Sequence, residues 1–243
     1  MSDDCCKSGF SWGGKPEGTE STIAKNRTYV TGTSKSAAVL LIHDIFGWTF
    51  TNLRLLADHF AKEANATVYV ADFFDNEVIS EETMDDEAKR TAFDLPAFVG
   101  RNSKEIRYPE IKAVAQALKA EYPRVAAIGY CYGAWACLQL GADPSLIDAI
   151  SVVHGSLCTN EEIDAVKVPV QVQAPETDPQ WTPEIREYAN KKIPELGVPY
   201  DFVYFPGLMH GFAARGDPEK KIEKDGLERA KRSAVNFFNE FLH

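Results

Sequence analysis

The feature that most constrains this chain is an alternation. Short apolar runs rich in β-branched residues recur from Arg27 to Val30, Ala37 to His43, Thr67 to Ala71, Arg124 to Gly129, Ala149 to His154, Val168 to Ala174 and Tyr200 to Phe205. Between several of them the apolar residues switch to helical spacing: Leu53, Leu56, Ala57 and Phe60 within Asn52 to Ala64, and Ile106, Ile111, Val114 and Leu118 within Lys104 to Glu121. A strand that is apolar on both faces has to be covered on both faces, and the sheet built by such alternation is a parallel one. Ala134 to Leu140 is apolar nearly all round and is expected as a buried helix, whereas Leu227 to Leu242 is amphipathic and is expected to close the domain from outside. The predicted class is α/β, a mostly parallel central sheet with helices on both faces.

With 243 residues, 44% of them hydrophobic, the chain can bury one full core. The expected organisation is an N-terminal extension over residues 1–26, packed on or near a single domain that spans 27–243. Residues 75–102 break the alternation, acidic first and then carrying Phe93, Pro96, Phe98 and Gly100, and read as an insertion that forms either a lid or solvated surface.

A net charge of −10 without a Lys/Arg cluster repels a phosphate backbone, which argues against a nucleic-acid partner. The first residues lack a basic and apolar leader, and the longest apolar stretches are far too short for a membrane helix, so a cytoplasmic protein with no membrane partner is expected. Five cysteines at irregular spacing point to free thiols rather than a disulfide framework. Adjacent Cys5 and Cys6 have no second Cys/His pair at zinc spacing nearby, and no metal site is expected there.

Chemistry concentrates at Gly129-Tyr-Cys-Tyr-Gly133, where an apolar run meets a helix-like segment. Two glycines around one thiol are what a sharp strand-to-helix turn requires if it is to project Cys131 at a helix N-terminus, where unpaired N–H groups favour a thiolate and an oxyanion. Buried apolar filler is the competing reading for a cysteine in such a place. A thiol nucleophile gains from an imidazole, and the imidazole from a carboxylate, both on strand-end loops. Two later loops supply them: Gln173 to Asp178 carries Glu176 and Asp178, and Phe205 to Phe212 carries His210. The order nucleophile, acid, histidine is that of an α/β-hydrolase triad. His43 and His154, each ending an apolar run, are the rival imidazoles. The oxyanion hole needs the amide after the nucleophile, from Tyr132, and one from the loop after an early strand, His43 to Trp48, where Ile45 is the expected donor.

Together, Asp44-Ile-Phe-Gly47, Gly129-Tyr-Cys-Tyr-Gly133, Asp178 and His210-Gly-Phe212 resemble the dienelactone hydrolase family, the carboxymethylenebutenolidases, and the early Cys-Cys and Gly-Phe10 resemble its fungal branch. The resemblance implies an α/β-hydrolase fold, no cofactor, and hydrolysis of a small-molecule enol lactone or related ester through Cys131, with His210 as base and acid and Asp178 orienting it. It also implies that Asp44, a glutamate in bacterial members, gates the thiol, and that Arg215 holds a substrate carboxylate. Two other readings stand beside it: a non-catalytic binding or regulatory protein on the same fold, and a thiol redox protein. The redox reading needs a resolving cysteine, and Cys137, six residues along a helix from Cys131, is about 120° out of phase and about 9 Å away.

Overall fold

The structure, a computed structural model, describes residues 7–243, so Cys5 and Cys6 lie outside the described residues. Eight strands form one sheet: β1 (Thr19–Ile23), β2 (Asn26–Thr31), β3 (Ala37–Ile42), β4 (Thr67–Ala71), β5 (Arg124–Tyr130), β6 (Ala149–Val153), β7 (Val170–Thr177) and β8 (Tyr200–Met209). Their order is β1-β2-β4-β3-β5-β6-β7-β8, antiparallel from β1 to β4 through β2 and parallel throughout the rest. This is the α/β-hydrolase arrangement. Every residue of β3, β4 and β6 is buried, as strands covered on both faces must be.

Helix α1 (Thr51–Glu63) buries Leu53, Leu56, Ala57 and Phe60, the stripe the spacing predicts, and its Phe60 meets Phe238 of the C-terminal helix edge to face at 5.5 Å. Burying one such side chain contributes about 1.5–3 kcal/mol. Three short helices, α2 (Glu82–Asp85), α3 (Glu87–Ala92) and α4 (Leu95–Arg101), occupy the insertion. Beyond them come α5 (Lys104–Glu121), α6 (Gly133–Gly141), α7 (Asn160–Asp164), α8 (Pro183–Glu195), α9 (Phe212–Arg215) and α10 (Lys221–Leu242). Helix α6 is buried along nearly its whole length against the sheet.

Several boundaries differ from the sequence reading, for identifiable reasons. Strand β1 falls inside the expected extension; it is an edge strand whose residues are mostly exposed, so Thr-Glu-Ser-Thr-Ile shows no buried face. Its turn to β2 holds Ala24 at φ 46° and Lys25 at φ 74°, the backbone of a type I′ hairpin without the Asn-Gly that announces one. Helix α8 was not expected; it opens on Thr182, whose Oγ1 accepts from the Ile185 amide, with Pro183 at its first position. Ile106, placed on the buried stripe of α5, is half exposed. Among the described residues, no helix is long and apolar enough to cross a membrane.

Candidate active site

Strands β3, β5, β6, β7 and β8 run parallel, with Ile42 beside Gly129 and Tyr130 beside Val153 and a register shift between Pro175 and Thr177 where β7 meets β8, so the loops that leave them open at one edge of the sheet. Cys131 sits in the turn between β5 and α6 at φ 49°, a left-handed conformation that costs a non-glycine residue of order 1–2 kcal/mol. The flanking glycines make that turn feasible: a Cβ on Gly129 would lie 2.2 Å from the Gly133 carbonyl oxygen, and one on Gly133 would lie 2.3 Å from that of Ile42. Backbone hydrogen bonds hold the strained residue, its N–H donating to Val153 O (3.1 Å) and its carbonyl accepting from Ser156 N (2.9 Å) and Ala134 N (3.1 Å).

His210 follows β8, and Gly211 at φ 88° turns the chain into α9. Its Nδ1 lies 2.9 Å from both carboxylate oxygens of Asp178, and its amide donates to Thr177 O, which ties the two loops together. Asp178 is itself fixed by the amides of Gln180 (2.8 Å) and Trp181 (3.0 Å). Glu176, its rival, is exposed and accepts from the Gly207 amide. Nε2 of His210 is buried without a conventional hydrogen-bond partner among the described residues, and the imidazole interacts with the Cys131 side chain. Burial opposes the charged imidazole, but a Cys131 thiolate and the Asp178 carboxylate outweigh it and raise the His210 pKa to about 10. Sulfur, imidazole and carboxylate are therefore brought together from three loops.

The rival histidines have other duties. His43 donates from Nδ1 to the Asp44 carbonyl (2.8 Å) and accepts at Nε2 from the Phe73 amide (3.2 Å), which fixes a neutral tautomer; burial lowers its pKa to about 4. His154 packs edge to face on His210 with ring centroids 5.0 Å apart, and burial, with the neighbouring His210 and Arg215 charges, holds it neutral.

Asp44 and Arg215, 171 residues apart, form an ion pair with side chains 0% and 1% exposed. Asp44 Oδ1 also accepts from the Phe46 amide (3.0 Å), and Arg215 Nε donates to Ser8 O (3.1 Å). Burial raises the Asp44 pKa, Arg215 pulls it down, and the charge of Cys131 raises it again. The segment after Lys7 packs over this pair: Phe10 N donates to Arg215 O (2.9 Å), Trp12 Nε1 to Gly216 O (2.8 Å), and Asn52 Nδ2 to both Phe10 O and Ala214 O.

A cavity of about 210 Å³ opens onto Cys131, bordered by Ile45 from the loop after β3, Tyr132 from the elbow, Ser156 and Leu157 from the loop after β6, Gln180, and Leu95, Pro96 and Val99 of α4. The insertion thus supplies one wall. Phe74 fastens it, its ring 4.9 Å from both Phe98 and Tyr132, and the Tyr132 hydroxyl donates to Asn102 O. A larger groove beside the β1–β2 hairpin, about 550 Å³, contains none of the candidate reactive groups. Ser156, whose Oγ lies 3.3 Å from Cys131 Sγ, was missed by the sequence reading; its position two residues beyond a strand-ending histidine was the available signal. Cys137, the resolving thiol a redox reading would require, is fully buried, and burial pushes its thiol pKa up; the same holds for Cys158. Among the described residues no cluster of side chains could hold a metal ion.

Comparison with known proteins fits this picture. The sequence model of the Dienelactone hydrolase family matches residues 27–242. The chain is 27% identical to the hydrolase tropI of Talaromyces stipitatus, over 99% of this chain and 97% of that one. It is 28% identical to the carboxymethylenebutenolidase homolog of Mus musculus, over 93% and 91%. In fold it is similar to a putative dienelactone hydrolase from Klebsiella pneumoniae, with a TM-score of 0.68 at 15% identity, covering 87% of this chain and 95% of the other.

Proposed function

The chain belongs to the dienelactone hydrolase family and is a hydrolase of carboxylic esters or lactones, and on that footing we propose that it works through Cys131, His210 and Asp178 with a thioester intermediate. The observation that carries this reading is the contact chain at the sheet edge: the Asp178 carboxylate pins Nδ1 of an imidazole whose charged form is held by Cys131.

In this reading the Cys131 thiolate, paired with protonated His210, attacks the carbonyl carbon, and the C=O electrons move to an oxyanion received by the amides of Ile45 and Tyr132. Collapse of that intermediate breaks the bond to the alkoxy oxygen, which takes the proton from His210 Nε2. The acyl group is left as a thioester on Cys131. Neutral His210 then removes a proton from water, hydroxide adds to the thioester carbonyl, and the thiolate departs to restore the ion pair. Asp178 keeps its charge throughout and holds the imidazole in the tautomer that presents Nε2. With its carboxylate committed to Arg215, Asp44 acts on the thiol through charge, and the resting thiolate relies on His210. Cys131→Ala tests the assignment: turnover of a chromogenic short-chain ester should vanish while the melting transition persists, and retained hydrolysis would overturn it.

A further inference from the structure

Strand β6 runs into a loop whose backbone its residues do not favour. His154 at φ 37° and Leu157 at φ 60° both lie in the left-handed region, a strain that persists only where the surroundings over-determine the chain. Packing does so here: a Cβ on Gly155 would lie 2.9 Å from the Trp181 ring and 3.1 Å from both Ala134 Cβ and Cys158 Sγ. The loop so held delivers Ser156 to the elbow, where it meets Cys131 twice. Its amide donates to the Cys131 carbonyl at 2.9 Å, and its Oγ lies 3.3 Å from Sγ. Ser156 is 5% exposed and borders the cavity that opens onto the thiol, and among the described residues the sulfur is the hydrogen-bond partner of its hydroxyl.

We propose that Ser156 is a further catalytic residue, its hydroxyl donating to Cys131 Sγ and so holding the sulfur as a thiolate in the free enzyme. This rests on the Cys131 mechanism above and adds a donor to it. A thiolate carries no hydrogen, so across this contact the serine must donate. A hydrogen bond to the charged form favours that form, and bonds to ionised groups are stronger than neutral ones. Acylation removes the charge and leaves a weakly accepting sulfur, so the bond acts on the free enzyme and on the thiolate departing in the second half-reaction. The hydroxyl keeps its proton throughout, and the acyl group never passes to it.

Ser156→Ala leaves in place every titratable group around the sulfur. These are His210 from the loop after β8, with Asp178 behind it; Asp44 from the loop after β3, with Arg215 of α9; and Cys158 and His154 from the loop after β6. Tyr132 completes the elbow, and the α4 wall of Leu95, Pro96 and Val99 adds no charge. The amide of residue 156 still reaches the Cys131 carbonyl. A difference between the two proteins therefore belongs to the hydroxyl.

Alkylation of Cys131 by iodoacetamide, localised by fragmentation mass spectrometry and followed against pH in the full-length protein, reads this donor. Below the pH at which the rate levels off, Ser156→Ala should react about 10-fold more slowly than wild type, and kcat/KM for p-nitrophenyl acetate should fall by a similar factor there. On the high-pH plateau the alkylation rates should agree within about 3-fold, because a thiolate freed of its donor is no less nucleophilic. Equal rates at every pH would overturn the inference, since no bond to the thiolate would then have been lost. A rate lowered by one factor at every pH would overturn it as well, leaving the hydroxyl a packing role at the elbow. Slower alkylation with kcat/KM unchanged would also overturn it. All three results leave the mechanism standing. Ester turnover that survives complete alkylation of Cys131 would overturn the mechanism and the inference with it.

Discussion

Arg215→Met should unfold this protein much more easily than its position near the C-terminus suggests, and the size of the effect follows from what the side chain touches. Methionine keeps an apolar stem against the Phe46 ring, over which the guanidinium carbon now lies 5.4 Å from the centroid, but leaves the Asp44 carboxylate with 0% exposure and no counter-ion. Breaking a buried pair in this way costs about 3–5 kcal/mol. Ser8 O loses its donor as well, worth about 1 kcal/mol. Protonation of Asp44 limits the damage, because burial and the Cys131 charge already raise its pKa and loss of Arg215 raises it further. The penalty should accordingly shrink as pH falls. Replacing both partners, Asp44→Leu with Arg215→Met, removes the stranded charge and leaves chiefly the Phe46 amide and Ser8 carbonyl without partners, so the double variant should be about 2 kcal/mol more stable than Arg215→Met alone. Urea unfolding followed by circular dichroism at pH 7 reads all four corners of the cycle. If Arg215→Met costs under about 1 kcal/mol and the two substitutions are simply additive, the guanidinium is not committed to Asp44.

Gly133→Ala places a Cβ 2.3 Å from Ile42 O, a backbone atom that cannot swing away, and should destabilise by about 1–3 kcal/mol while lowering kcat through displacement of the elbow; a fully active variant of unchanged stability would contradict the packing argument. The raised His210 pKa carries a sign. Its stabilising contribution is complete below the unfolded value near 6.5 and is lost as pH rises through about 10, so stability should fall over the alkaline limb of that range. Because a Cys131 thiolate is the largest influence raising it, imidazole NMR signals of His210 should titrate near 10 in the wild-type protein and well below that in Cys131→Ala; the same midpoint in both would refute the pairing.

How far the sequence could be read depended on how local the cause was. The elbow was legible because both of its glycines lie within two residues of Cys131 and are demanded by close backbone contacts there. The order of Cys131, Asp178 and His210 was legible because strand ends in a parallel sheet converge on one edge. The β1–β2 hairpin was not, since Ala24 and Lys25 adopt positive φ without the residues that favour it. Nor was the pairing of Arg215 with Asp44, since only the folded chain brings the two together from 171 residues apart. Ser156 escaped for the same reason, its hydroxyl meeting the thiol across 25 residues of sequence. The insertion was visible as a break in the alternation, but that Leu95, Pro96 and Val99 face the thiol depends on the packing of Phe98 and Tyr132 against Phe74.

The most direct measurement is rapid-quench mass spectrometry on His210→Asn mixed with excess p-nitrophenyl hexanoate, since loss of the base should slow the second half-reaction more than an activated first one. The account predicts an added hexanoyl mass confined to the peptide that contains Cys131. Release of p-nitrophenol with that peptide unmodified, and an acyl group found elsewhere or nowhere, would contradict it.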